Sequence, residues 1–111
     1  MDVSITTSTV GAVQVVAVGG EIDVHTAPQV DEALEAVAGP GAAIVADLSK
    51  VEFIDSTGLS VLVRALARSR DEDGTLAVVA TSERVTKVLR LTGLDAVLAV
   101  YDSVDAAVAG A

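Results

Sequence analysis

No cysteine occurs in these 111 residues, which excludes disulfide bridges and thiol nucleophiles and fits a reducing compartment. Aromatic side chains are nearly missing as well: one Phe, one Tyr and no Trp. Nucleic-acid readers that stack bases need aromatic platforms beside a basic face. Positive charge is also scarce, with seven Lys and Arg against sixteen Asp and Glu and a formal net charge of −9. Direct binding of DNA or RNA is therefore not expected. The start, Met1-Asp2-Val3-Ser4, has neither the basic nor the apolar region of a signal peptide. No apolar run approaches the ~18 residues that a membrane-spanning helix needs. These absences predict a cytoplasmic chain without a membrane segment, forming one domain over residues 1–111, long enough to bury a core.

What is abundant is Val, Ala and Leu, so the core must come from close packing of small and branched side chains. Charge is uneven along the chain. Between Glu21 and Gly58 eight acidic residues stand against Lys50 alone, whereas between Leu59 and Arg90 six basic residues stand against four acidic ones. For most of these charges a solvated surface is the default reading.

The β-branched segments Val3 to Ser8 and Ala12 to Val18 read as strands with a turn near Gly11. Gly19-Gly20 reads as a break, followed by a loop from Glu21 to His25. Thr26 with Gln29 fits a capping box, Pro28 is tolerated in a first turn, and Val30, Ala33, Leu34, Val37 and Ala38 recur at helical spacing up to Gly39-Pro40. Ala43 to Leu48 is a short apolar run suited to a strand buried on both faces. A second helix follows Ser49–Thr57, with Leu59, Leu62, Val63, Leu66 and Ala67 as its apolar face and Arg64 and Arg68 together on another. It ends at the polar turn Asp71-Glu72-Asp73-Gly74. Leu76 to Ala80 is the next strand. Ser82 caps a third helix with inner positions Val85, Val88, Leu89 and Thr92, stopped by Gly93. A strand from Ala96 to Val100 and a closing helix from Ser103 to Ala109 complete the order ββαβαβαβα. That order predicts an α/β domain with a mixed sheet of about five strands and about four helices.

The stretch Phe53-Ile54-Asp55-Ser56-Thr57-Gly58-Leu59 concentrates polar groups at a helix start. Unpaired backbone N–H groups and the positive end of the helix dipole lie there. Its hydroxyls are either plain caps or a place to attach or bind phosphate. A cap requires one such residue and three are present, while Gly58 leaves room for close backbone approach. Enzymatic alternatives are poorly supported. His25 is the sole histidine, and Ser56 lacks the Gly-x-Ser-x-Gly elbow that would expose a hydrolase nucleophile. Neither a Gly-x-x-x-x-Gly-Lys loop nor a Gly-x-Gly-x-x-Gly turn is present. Asp23, His25, Asp47 and Asp55 lack ligand-like spacing for a metal. An aspartyl-phosphate receiver built on Asp47 would want a Lys after the last strand, where Tyr101 stands. No catalytic residue, metal or cofactor is expected.

Asp55-Ser56-Thr57-Gly58-Leu59 resembles the Asp-Ser-[Ser/Thr]-Gly-Leu signature of bacterial anti-sigma factor antagonists, the stand-alone STAS domains. Gly20-Glu21-Ile22-Asp23-Val24-His25-Thr26-Ala27 is similar to that family's Gly-Glu-[Ile/Leu]-Asp-x-x-[Ser/Thr]-Ala motif, and Leu91-Thr92-Gly93-Leu94 is a third match. The likeness runs over roughly residues 12 to 100. Ser60, where many relatives have Gly, and His25 are its small departures.

The resemblance implies a non-enzymatic regulator of transcription, acting by partner switching in a stress response. Unphosphorylated, it binds an anti-sigma factor that is an ATP-dependent serine kinase, and the sigma factor is released. Ser56 is the implied phosphoacceptor, with Thr57 secondary, and a metal-dependent serine phosphatase reverses the modification. Asp23, His25, Thr26, Asp55, Ser56, Thr57 and Gly58 are the implied partner-binding residues. A monomer or weak dimer is expected. The alternative is a STAS scaffold or small-ligand-sensing subunit of a stress-signalling assembly.

Overall fold

The computed structural model describes residues 2–111. Two strands, β1 (Val3–Val10) and β2 (Val13–Ile22), form an antiparallel hairpin, and helix α1 (Ala27–Val37) follows. Next come β3 (Ala43–Ile54), α2 (Ser56–Asp71), β4 (Thr75–Val79), α3 (Glu83–Leu91), a short 3-10 turn (Leu94–Ala96), β5 (Ala99–Tyr101) and α4 (Val104–Ala109). The result is one mixed sheet in the sequential order β1-β2-β3-β4-β5, with every pair after the first parallel. Crossovers between parallel strands are right-handed. In a sheet that grows in one direction they put their helices on the same face, here α1, α2 and α3.

Strand alternation divides the core accordingly. Val16, Val18, Ile44, Ala46, Leu48, Leu76 and Val78 pack with Val30 and Leu34 of α1, Val61, Leu62 and Ala65 of α2, and Val85 and Leu89 of α3. On the opposite face Val13, Val15, Val45, Ala77 and Val79 meet Ala107 of α4. The predicted fold class and element order hold. No helix among the described residues is long and apolar enough to cross a membrane.

The last strand starts at Ala99 rather than Ala96, which closes a 3-10 turn, and Thr92 is exposed rather than inner. Three further local readings change. First, Gly19-Gly20 does not end β2. The strand runs on to Ile22, and β3 extends from Ala43 through Ile54 beside it, with register shifts between Ala17 and Gly19 and between Gly20 and Glu21. At Gly20 the backbone takes φ +99° close to the Asp2 carbonyl, which only a glycine accommodates. Each shift inserts an extra residue into β3, so its inward positions pass from Leu48 to Val51 to Ile54 and the two-residue period is lost. Second, the buried face of α2 is Gly58, Val61, Leu62, Ala65 and Ser69, while Val63 and Ala67 are exposed. Third, Arg64 and Arg68 are not free: Arg64 Nη2 lies 3.6 Å from Asp31 Oδ2 and Arg68 Nη1 3.5 Å from Glu35 Oε1. Such surface pairs contribute about 0–1 kcal/mol each, and they link α1 to α2 along one side.

Ser69 sits inside this packing, 8 % exposed, with no hydrogen-bond partner for its Oγ among the described residues. A buried hydroxyl left unpaired costs about 1–3 kcal/mol, and Ala is the better helix former. Ser69→Ala is therefore expected to raise stability by about 1 kcal/mol, seen as a rise of several degrees in the thermal midpoint.

Candidate functional site

Ile22 and Ile54 end β2 and β3 as register partners, and the N–H of Asp55 donates to the Ile22 carbonyl at 3.1 Å. The two loops that carry the sequence motifs therefore leave the sheet side by side, at the carboxyl ends of adjacent parallel strands.

In the first loop, the Asp23 carboxylate organises the backbone. Its Oδ1 accepts from the N–H groups of His25 at 2.9 Å and Thr26 at 3.0 Å. Thr26, 2 % exposed, donates its hydroxyl to the Glu21 carbonyl at 2.7 Å and accepts the Asp23 N–H at 2.9 Å. With one proton to give, that hydroxyl is committed to the Glu21 carbonyl. No capping box forms from Thr26, which makes no side-chain cap bond to α1. The tip of the loop, Val24 and His25, is left exposed.

The N–H donated by Thr26 is the main reason the Asp23 carboxyl lies below the ordinary carboxylate range. Partial desolvation opposes this, and the His25 N–H and the His25 charge add to it. A carboxyl whose folded value is depressed contributes stability above its unfolded value, and that contribution is lost as pH falls through the folded value. The loop contribution is thus intact at neutral pH and disappears only below the usual aspartate range. A proton titration followed at the His25 and Thr26 amides by NMR is expected to show both moving together, with a common midpoint below the ordinary aspartate value.

In the second loop Asp55 is extended and caps α2, its Oδ1 accepting the Gly58 N–H at 3.0 Å. Of the three polar residues, Asp55 is the cap. Ser56 occupies the first helical position and is exposed, while Thr57 is half-buried. The first intrahelical bond runs from the Leu59 N–H to the Asp55 carbonyl at 2.9 Å, so the Ser56 and Thr57 N–H groups precede the ladder. The Ser60 hydroxyl donates to the Ser56 carbonyl at 2.9 Å.

Gly58 does not open the surface, contrary to the sequence reading. It is buried and points inward, and a Cβ placed there would lie 2.7 Å from Ile22 Cγ2 and 2.7 Å from Ile54 Cγ1. The missing side chain lets the first turn of α2 rest on the two isoleucines that end the strands. That seat is what fixes the position of Ser56.

The two adjacent loops carry Asp23, His25, Thr26, Asp55, Ser56, Thr57 and Gly58 in two layers. Thr26 and Gly58 face inward and hold the loops, while His25 and Ser56 reach the surface. Residues not singled out for this place are there too: Leu59, Ser60, Val63, Arg64, Thr92 and Leu94 border a shallow groove beside Ser56. The Leu91-Thr92-Gly93-Leu94 motif was legible, but not its proximity to Ser56. Val63 was assigned to the core. No group of three or more His, Asp or Glu among the described residues is arranged to hold a metal ion.

A family profile, the STAS domain, matches residues 4–107. The anti-sigma-B factor antagonist of Staphylococcus aureus is 35% identical over 95 residues, spanning 85% of this chain and 88% of its own length. That of Listeria monocytogenes is 39% identical over 82 residues, spanning 73% and 72%. An anti-sigma factor antagonist from Mycobacterium paratuberculosis, known as a crystal structure, superposes with a TM-score of 0.90 at 36% identity, covering 98% of this chain and 93% of its own. With its sheet order, its paired loops and these relatives, the chain belongs to the STAS-domain family of anti-sigma factor antagonists, which are regulators rather than enzymes.

Proposed function

We propose that this protein, when unphosphorylated, binds an anti-sigma factor that is also an ATP-dependent serine kinase, so that a sigma factor is set free, and that phosphorylation of Ser56 ends the binding. The Ser56 oxygen attacks the γ-phosphorus of ATP, a new O–P bond forms, ADP leaves, and the hydroxyl proton passes to the kinase. A metal-dependent serine phosphatase returns the hydroxyl. The partner surface centres on Ser56, Thr57, Asp55, Asp23 and His25, with Thr26 and Gly58 supporting it from beneath.

One observation carries this reading: Ser56 is the exposed hydroxyl of the pair at the start of α2, because Asp55 serves as cap and Thr57 is half-buried. A phosphate there meets free backbone N–H groups and the positive end of a 16-residue helix. Both features suit a modification that the fold tolerates.

The test is affinity capture from the source cell with dephosphorylated protein, followed by reaction of the captured material with ATP and mass spectrometry. Recovery of an ATP-binding anti-sigma factor and a phosphate mapped to Ser56 are expected. Capture of no such kinase, or modification at Thr57 with Ser56 untouched, would overturn the proposal.

A further inference from the structure

The outer edge of the sheet at β1 is unlike the rest of this acidic molecule. Over eight residues, Val3-Ser4-Ile5-Thr6-Thr7-Ser8-Thr9-Val10, it carries no charge, no proline and no glycine. Its pairing with β2 is unbroken from Val3↔Gly20 to Val10↔Val13, so no bulge twists the edge away. The opposite edge, β5, has only three residues, and α4 packs against it. Natural sheets blunt long edges with charge, proline, bulges or a covering element. Among the described residues β1 has none of these, and alternate residues point backbone N–H and C=O groups outward.

We infer that β1 is a self-association surface, on which a second copy of this chain pairs its own β1 antiparallel across a two-fold axis, joining two five-stranded sheets into one. Charge selects both the surface on which two copies can meet and the direction. With −9 on each copy, association through most of the surface is opposed by repulsion. β1 is an uncharged strip. The carboxylate at its start, Asp2, decides how two strips meet. Parallel pairing would place the two Asp2 residues about 5 Å apart, the spacing of neighbouring strands. Antiparallel pairing centred on Thr6 separates them by about 27 Å, at ~3.4 Å per residue. That is more than two screening lengths at physiological salt, where the length is about 8 Å.

The side chains suit the same register. A two-fold axis normal to the sheet keeps the two halves facing the same way, so Thr6 opposes its copy, Ser4 opposes Ser8, Ile5 opposes Thr7 and Val3 opposes Thr9. Hydroxyl pairs and β-branched pairs are the favourable cross-strand combinations. The contact leaves the loops at the ends of β2 and β3 unpaired, so each copy keeps its own Ser56 exposed. The inference does not depend on the phosphorylation reading.

The test is sedimentation equilibrium of the full chain from micromolar to millimolar concentration, at low and high salt. A reversible rise toward twice the 11.1 kDa chain mass is expected, stronger in high salt. Thr6→Lys puts two ammonium groups opposite each other at the axis, and Thr6→Glu does the same with carboxylates. Each is expected to weaken self-association at least tenfold, and mixing the two variants is expected to restore a dimer. Circular dichroism and thermal melting check that both variants fold, which is expected because Thr6 is exposed. A chain that stays monomeric to millimolar concentration overturns the inference. So does a dimer that persists in both Thr6 variants, since it would use another surface.

Discussion

Phosphorylated Ser56 is expected to bind the captured anti-sigma factor at least a hundredfold more weakly than the unmodified protein, while its thermal midpoint moves by only a few degrees. Ser56→Asp should lose about tenfold, and Ser56→Ala should bind normally but resist inactivation by kinase and ATP. A phosphoserine carries about −1.5 to −2 charges near neutral pH. In the free protein it sits at the start of α2, where the helix dipole favours an anion by about 0.3–1 kcal/mol. In water that gain is comparable to the repulsion from the chain's own nearby carboxylates, so the fold tolerates the modification. A partner does not, because the same site already holds the carboxylates of Asp55 and Asp23, brought together by the Asp55–Ile22 bond between the loops. A like charge ~6 Å away costs about 1 kcal/mol in bulk water and several times that once an interface excludes water. Stripping water from a phosphate that finds no cation adds to this. A hundredfold corresponds to about 2.7 kcal/mol, well within those terms. Calorimetry on the two forms decides it: equal affinities would show that Ser56 is not the switch.

Gly58→Val is expected to destabilise the fold by about 3 kcal/mol, lowering the midpoint by roughly 15 °C. Its Cβ would have to fit where Ile22 Cγ2 and Ile54 Cγ1 already stand 2.7 Å away, and both isoleucines are buried, at 1 % and 3 % exposure. Neither can swing aside without opening the core. Gly58→Ala should cost less, because Ala regains up to ~1 kcal/mol of helix propensity over Gly. Ser60→Ala is the control. Its hydroxyl bond to the Ser56 carbonyl is exposed, so its loss should change stability by no more than about 0.5 kcal/mol. An unchanged melt for Gly58→Val would mean that α2 does not rest on the strand ends, and that Ser56 is placed by something else.

These expectations rest on features that the chain reveals unequally. The ββαβαβαβα order was legible because apolar periodicity changes sharply at each boundary, and because Gly and Pro punctuate it. The two site loops were legible because their residue types and spacing are specific. Less visible was the length of β3 past Leu48. Its two register shifts against β2 destroy the alternation that marks a strand, and only pairing with a neighbour makes the segment extended.

The rotation of α2 was hidden for a different reason. Val61-Leu62-Val63 and Ala65-Leu66-Ala67 are apolar without interruption, so spacing alone permits more than one buried face. The face observed is the one that places Gly58 against Ile22 and Ile54. It exposes Val63, and it brings the helix alongside α1 so that Arg64 and Arg68 meet Asp31 and Glu35.

By itself, then, the sequence determined the elements, their order and the hydroxyl-rich helix start, because each is written in local composition and period. Only the tertiary structure decided which hydroxyl is free. Asp55 becomes a cap through one backbone bond, Thr26 is consumed by the Glu21 carbonyl, and Gly58 turns inward onto two isoleucines from different strands. The two hydrogen bonds lie within their own loops, but the loops are set beside each other by contacts between segments far apart in the chain, the Asp55 N–H on the Ile22 carbonyl and Gly58 on Ile22, and no local pattern encodes those.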